Sequence, residues 1–116
     1  MEIVDEQKRG QLTKRIQDKS KELLGYEIDE SELRLMPYLH YQLVNEKKPV
    51  NINKEEQDIL IKWLNKGYIV NGVTPEKGRI KKSIGEQLEV TKEFWNILNE
   101  IIYLGYVDLF EVVIEN

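Results

Sequence analysis

Carboxylates are plentiful in this chain, but the other residue types that most often catalyse reactions or bind transition metals are scarce. His40 is the single histidine and there is no cysteine, which excludes two-histidine metal sites within one chain, thiolate zinc sites and cysteine nucleophiles. The glycine-rich phosphate loops GxxxxGK[ST] and GxGxxG are also absent from the sequence. The adjacent carboxylates of Asp29 and Glu30, and of Glu55 and Glu56, are typical of helix starts. The sequence therefore predicts no catalytic residues, no metal site and no cofactor, and a protein that is not an enzyme.

The composition is that of an ordinary globular domain. The 116 residues are 41% hydrophobic and 33% charged, which suits a single core. No apolar run approaches the roughly 20 residues that a membrane helix needs. The opening stretch MEIVDEQKRG lacks the apolar centre of a signal peptide. We therefore expect one cytoplasmic domain over residues 1–116 that makes no contact with a membrane.

Charge is distributed unevenly along the chain, although the net charge is only −4 and the pI about 5.1. Residues 8–21 contain six basic residues and one aspartate, whereas residues 91–116 contain one lysine and five acidic residues. A DNA-binding domain normally has a basic stripe and a high pI. Here the basic segment and the acidic segment lie at opposite ends of the sequence.

Apolar spacing and capping residues predict two helices in the first half of the chain. Apolar residues at helical spacing predict a first helix over residues 6–24. Asp29 or Ser31 is a suitable cap for the helical turn that follows. Pro37 would interrupt that turn, because an interior proline loses a hydrogen bond and clashes with the preceding turn. The main second helix is therefore expected to begin at this proline and to end at Asn45.

Similar signals predict a third helix, a strand and a further helix start. Asn53 is expected to cap a helix over residues 54–66. A short strand over residues 68–70 follows, next to an Asn-Gly turn signal. Thr74 and Pro75 fit a cap followed by a proline at the first helical position. They predict that another helix begins there or shortly afterwards.

The segment from Ile84 to Val107 has the spacing of two amphipathic helices joined by a short turn. The residues that make the pattern are Ile84, Gly85 and Leu88 in the first helix, Val90 in the turn, Thr91 as cap, and Trp95 and Leu98 in the second helix. This spacing resembles the helix-turn-helix motif. Its continuation into Gly105-Tyr106-Val107, after a helix and a strand, resembles the winged-helix superfamily. The resemblance implies a mainly α fold with a small β-sheet, an α+β protein. Residues 51–116 would form the winged-helix-like unit and residues 1–50 an N-terminal helical extension.

The second helix of this pair differs from a helix that reads DNA. Such a helix presents polar and basic residues to the major groove. In this chain the polar residues on one side of the helix form a stripe with a net charge of −1. The stripe consists of Lys92, Glu93, Asn96, Asn99, Glu100 and Tyr103. The rest of the helix surface is apolar, and this apolar surface is wider than a helix buried on only one side requires. We expect the N-terminal helices to cover the additional apolar side, with self-association as the other explanation.

The C-terminal segment YVDLFEVVIEN has no turn residue that would start a second wing strand. A long apolar strand at the terminus leaves an edge, and such edges tend to pair with another strand. A partner protein or a second copy could supply that strand, and the candidate contact residues are Phe110, Val112, Val113 and Ile114. The alternative is that an N-terminal segment such as Glu2–Val4 covers the edge.

These observations predict a small regulatory or adaptor protein that binds another protein or forms a homodimer. The alternative is a sequence-specific DNA-binding regulator of the winged-helix type. In that case Lys14 and Arg15 would contact phosphates while Lys92, Asn96 and Asn99 enter the major groove. The short length, acidic pI and frequent Lys, Asn and Ile also suit an accessory protein of a phage or mobile element.

Overall fold

The computed structural model describes residues 2–6, 8–46, 52–80 and 87–114. Within these ranges the helices are α1 (Lys14–Leu24), α2 (Glu30–Val44), α3 (Lys54–Asn65) and α4 (Lys92–Ile102), the last continued by a π-helical turn over Tyr103–Val107. The strands are β1 (Glu2–Glu6), β2 (Ile69–Asn71), β3 (Pro75–Glu76), β4 (Arg79–Ile80), β5 (Glu89–Val90) and β6 (Phe110–Ile114). They pair antiparallel as β1–β6, β2–β5 and β3–β4. The prediction of a mainly α protein with a small β part is confirmed.

Helix α1 begins later than the sequence predicts. The expected start at residue 6 is wrong, because Glu2–Glu6 form β1 and Gly10 has a left-handed φ of +74°. Thr13 caps the helix instead, and its side-chain oxygen accepts a hydrogen bond from the backbone N–H of Ile16. The apolar spacing therefore identified the helix but not the point at which it begins.

Helix α2 runs through Pro37, so the predicted start at this proline is wrong. The helix begins at a capping box, in which Asp29 and Glu32 each accept a hydrogen bond from the backbone of the other. A proline at position 37 has no N–H to donate to the carbonyl of Leu33, four residues earlier. The hydroxyl of Tyr106 donates to that carbonyl at 3.3 Å. A tertiary contact thus replaces the hydrogen bond that the proline removes.

Residues 75–80 form a hairpin of β3 and β4, and the helix start predicted at Thr74 and Pro75 is wrong. Lys77 and Gly78 lie between the two strands with φ of +51° and +77°. Tight hairpins favour two-residue turns with positive φ at both positions, because their twist matches that of the strands. The glycine that would weaken a helix here is the residue that such a turn favours.

The described residues just before α4 are extended rather than helical, unlike the first helix of a helix-turn-helix. Residues 81–86, with Ile84 and Gly85, lie outside the described ranges. Leu88 is buried, as expected, but it precedes a strand. Val90 belongs to β5 and pairs with β2, whereas the sequence predicted it in the turn between two helices.

Helix α4 lies at the centre of the core. Thr91 caps it as predicted, accepting a hydrogen bond from the N–H of Phe94 at 3.1 Å. Phe94 packs on the rings of Trp63 and Tyr68, with centroid distances of 5.2 and 4.9 Å. Helices α1 and α2 pack against α4, as predicted from its wide apolar surface. The fully buried residues include Ile16, Leu33, Leu39, Leu60, Trp63, Phe94, Leu98 and Ile101.

Strands β1 and β6 form a two-stranded antiparallel ribbon that joins the two ends of the chain. Its register places Glu2 opposite Ile114 and Val4 opposite Val112. The N-terminal segment therefore pairs with one edge of the terminal strand. This agrees with the alternative prediction that a segment such as Glu2–Val4 covers that edge. The chain measures 56 × 25 × 25 Å with a radius of gyration of 15.7 Å, against about 13 Å for a compact domain of this length. The molecule is therefore elongated.

Candidate protein-interaction site

The two basic residues predicted to contact phosphates have different surroundings. Lys14 is exposed and pairs with Asp18 at 2.9 Å, and the hydrogen bond and charge of Asp18 raise the pKa of Lys14. Arg15 is largely covered, and its guanidinium donates to the Asp108 side chain at 3.1 Å and to the Asp108 and Leu104 carbonyls. A cation is favourable at the carbonyl end of a helix. Arg15 thus holds α1 against the turn that follows α4, and it has little freedom to contact a phosphate.

The polar stripe of α4 is exposed along its whole length, including Lys92 and Asn96. Asn99 is held in place, because its amide donates to the Trp95 carbonyl at 2.8 Å and its oxygen accepts from His40 Nε2 at 3.0 Å. The imidazole of His40 also stacks on Trp95, with ring centroids 4.6 Å apart and planes 15° apart. Sequence reasoning missed this cluster, because nothing local signals that α2 and α4 meet there.

A groove opens between the C-terminal end of α2, the strand β5 and the first turn of α4. Its volume is about 520 Å³. The described residues that line it are mainly apolar: Leu43, Val44, Leu88, Glu89, Val90, Lys92 and Trp95. Val44, one of these lining residues, is 60% exposed. The stacking of His40 on Trp95 restricts this indole and gives the groove a fixed wall.

One edge of β5 has no neighbouring strand among the described residues. The N–H of Thr91 donates to the carbonyl of Tyr68 at 3.0 Å, next to the paired residues Ile69 and Val90. This bond identifies Ile69 and Val90 as a non-hydrogen-bonded antiparallel pair, whose own N–H and C=O groups point away from each other. In the described part of the chain β2 is the only strand beside β5. The backbone N–H and C=O of Val90 therefore lie on an open strand edge that borders the groove.

Gly72 fixes the position of β5 relative to β2. Its φ is +90°, and a Cβ atom added there would lie 2.5 Å from Leu88 Cα and 2.7 Å from the Gln87 carbonyl oxygen. Only glycine allows the two backbones to approach this closely. The Asn-Gly signal at this position therefore marks a close contact between segments as well as a turn.

A second polar cluster lies between α2 and α3. Trp63 Nε1 donates to Tyr26 Oη at 2.9 Å, and Tyr26 Oη donates to the buried carboxylate of Glu32 at 2.6 Å. Lys62 Nζ lies 3.4 Å from that carboxylate and 4.0 Å from the centre of the Tyr26 ring. Burial, with the hydrogen bond to Glu32, raises the pKa of the Tyr26 hydroxyl and keeps it neutral. Each member of the cluster therefore has a hydrogen-bond or ion-pair partner inside it.

The terminal-strand residues Phe110, Val112, Val113 and Ile114 all belong to β6. The backbone of this strand pairs with β1 on one side. The opposite edge has no neighbouring strand among the described residues. The strand therefore retains one edge at which another strand could add.

Comparisons with protein-family models, with curated proteins and with solved structures find no match to this chain. The described residues contain no cluster of three side chains able to hold a metal ion. None of their helices combines the length and apolar character needed to cross a membrane. The described residues form a small α+β protein in which a strand edge with no described neighbour borders a mainly apolar groove.

Proposed function

We propose that this protein is a small, non-enzymatic regulatory or adaptor protein that binds an extended segment of a partner protein along β5. The observation that carries the proposal is the outward-directed N–H and C=O of Val90 beside the apolar groove. Extended peptides add to open strand edges through backbone hydrogen bonds, and pockets for alternate side chains supply specificity. Both features occur together at this edge.

The lining of the groove indicates the chemistry of the segment. An extended chain directs every second side chain to the same face. A segment paired with Val90 would direct one such side chain between Val44 and Trp95, where an apolar group removes the exposed valine and indole from water. The expected partner segment is therefore an extended strand with aliphatic or aromatic residues at alternate positions.

Selection from a phage-displayed random peptide library tests this function. The wild-type protein is expected to enrich peptides with apolar residues at alternate positions. Val44→Glu should weaken binding of those peptides roughly tenfold or more, because a carboxylate would lie in the apolar groove. Methylating the peptide nitrogen that pairs with Val90 should also abolish binding. Binding is measured by fluorescence polarisation with labelled peptides.

Val107→Glu is the matched control, because Val107 is 64% exposed and does not line the groove. It adds the same charge at a similarly exposed valine, and it is expected to bind the selected peptides like the wild type. If no peptide family is enriched, the proposal fails. It fails equally if Val44→Glu and Val107→Glu bind the selected peptides with the same affinity.

A winged-helix DNA-binding regulator is the alternative function. Helix α3, strand β2 and helix α4 follow one another in the order expected for residues 51–116, and Lys92 and Asn96 are exposed on α4. A protein that contacts several phosphates must lose affinity steeply as salt rises. We expect no binding of a labelled duplex at low salt. Tight, salt-sensitive binding that Lys14→Glu abolishes would instead support the DNA-binding function.

A further inference from the structure

Within the described ranges, the β1–β6 ribbon has fewer neighbours than a stable sheet requires. A two-stranded antiparallel ribbon is at best marginally stable alone in water, and further strands or packing against a helix are needed. Among the described residues each of its strands has only the other as a strand neighbour. Neither strand packs extensively on a described helix. The ribbon therefore needs an additional partner.

We propose that the outer edge of β6 pairs antiparallel with β6 of a second copy of this chain. The product is a four-stranded sheet across a two-fold axis, in the order β1, β6, β6 of the partner and β1 of the partner. This pairing satisfies backbone groups on the open edge of β6 and leaves β1 at the outside. The inference goes beyond the proposed function, because it does not use the groove beside β5.

Charge favours β6 over β1 as the paired edge. Three of the five residues of β1 are acidic, Glu2, Asp5 and Glu6, whereas Glu111 is the only acidic residue among the five of β6. Charged residues on an edge strand oppose pairing with another copy. A sheet joined at two β1 strands would have six acidic residues in its central pair of strands, whereas a sheet joined at two β6 strands has only two. The acidic strand is therefore suited to the outside of the sheet.

Strand length and charge both favour one register among those that a two-fold axis allows. With the axis at Val112, this residue lies opposite its own copy, Phe110 lies opposite Ile114, and Glu111 lies opposite Val113. This register pairs all five residues of β6. An axis at Glu111 would instead place that carboxylate opposite its own copy, and like charges directly opposite each other are destabilising. The register centred on Val112 avoids this conflict and uses the whole strand.

Sedimentation equilibrium of the full chain tests this inference, and a dimer is expected. Val112→Lys should give a monomer, because two ammonium groups would lie opposite each other at the axis. Val4→Lys is the matched control, because Val4 is paired with Val112 within the ribbon and lies on the outer strand. It places the same charge at the equivalent position of the ribbon but away from the axis, and it should remain a dimer.

Mixing two variants separates loss of pairing from loss of folding. Val112→Lys and Val112→Glu should each be monomeric alone and form a heterodimer when mixed, because opposite charges then meet at the axis. A wild-type protein that sediments as a monomer would overturn the inference. So would a dimer that survives Val112→Lys, equal dissociation by Val4→Lys, or a mixture that stays monomeric. Val112→Lys should still bind the selected peptides, so failure of the dimer and failure of the groove proposal are distinguishable.

Discussion

Replacing Gly72 by alanine is expected to destabilise the protein by about 3 kcal/mol or more. Its φ of +90° is strained for any residue with a Cβ, and that atom would lie 2.5 Å from Leu88 Cα. The atoms in the way are backbone atoms of Gln87 and Leu88, so β5 must move to make room. The free energy of unfolding, measured by urea denaturation, should fall accordingly, and the variant should also lose the selected peptides.

Gly25→Ala is the matched control for this experiment. Gly25 has a similar φ of +83°, but nothing lies within 4 Å of the position that a Cβ would occupy. Its substitution should therefore cost only the left-handed backbone penalty, about 1 kcal/mol. Equal losses for Gly25→Ala and Gly72→Ala would contradict the close approach of the Gln87–Leu88 backbone, and with it the described position of β5.

Replacing Trp63 by alanine is expected to lower the free energy of unfolding by about 3–5 kcal/mol. The side chain is fully buried, its ring packs on Phe94, and its Nε1–H donates to Tyr26. Alanine would leave a cavity in the core and remove the donor that Tyr26 accepts from. Since a domain of this size is typically stable by only about 5–15 kcal/mol, this loss could approach the total stability.

Two further variants make the Trp63 experiment interpretable. Trp63→Phe retains part of the ring volume and should cost less than Trp63→Ala, which keeps the comparison measurable if the alanine variant is largely unfolded. Tyr103→Ala removes a large side chain that is 54% exposed, and surface changes of this kind usually stay within about 0.5 kcal/mol. A Trp63→Ala loss no larger than that of Tyr103→Ala would contradict the described core.

The elements that the sequence predicts well are those with local signals at both ends. Helix α3 lies between Asn53 and Gly67, the two residues predicted to mark its ends. Asn53 forms a capping box with Glu56. Helix α4 is capped by Thr91 as predicted, and its polar stripe is exposed. In both helices the residues that set the start lie within one turn of it, so a short stretch of sequence contains the necessary information.

The errors occur where a distant residue decides the outcome. Pro37 remains inside α2, where Tyr106, far along the chain, bonds the carbonyl that the proline leaves without a donor. The segment Glu2–Glu6 is a strand because its partner lies at the opposite end of the chain. Neither contact leaves a signal near the residues that it affects. The hairpin at Lys77 and Gly78 did have a local signal, which the proline at position 75 outweighed.

The candidate site was harder to predict than the fold. The groove depends on the end of α2 meeting β5 and α4, and no periodicity in the sequence predicts that contact. The outward direction of the Val90 backbone depends on one hydrogen bond, from Thr91 to Tyr68. For the same reason the sequence did not predict the contacts of Arg15 with Asp108 and of Asn99 with His40.

Amide hydrogen exchange at Val90, followed by NMR, tests the central claim most directly. In the free protein the Val90 N–H points away from β2 and should exchange rapidly, whereas the Thr91 N–H, bonded to the Tyr68 carbonyl, should be protected. Saturation with a selected peptide should protect the Val90 amide and leave Thr91 unchanged. A Val90 amide already protected in the free protein, or one that still exchanges rapidly in the saturated complex, would contradict binding by strand addition at β5.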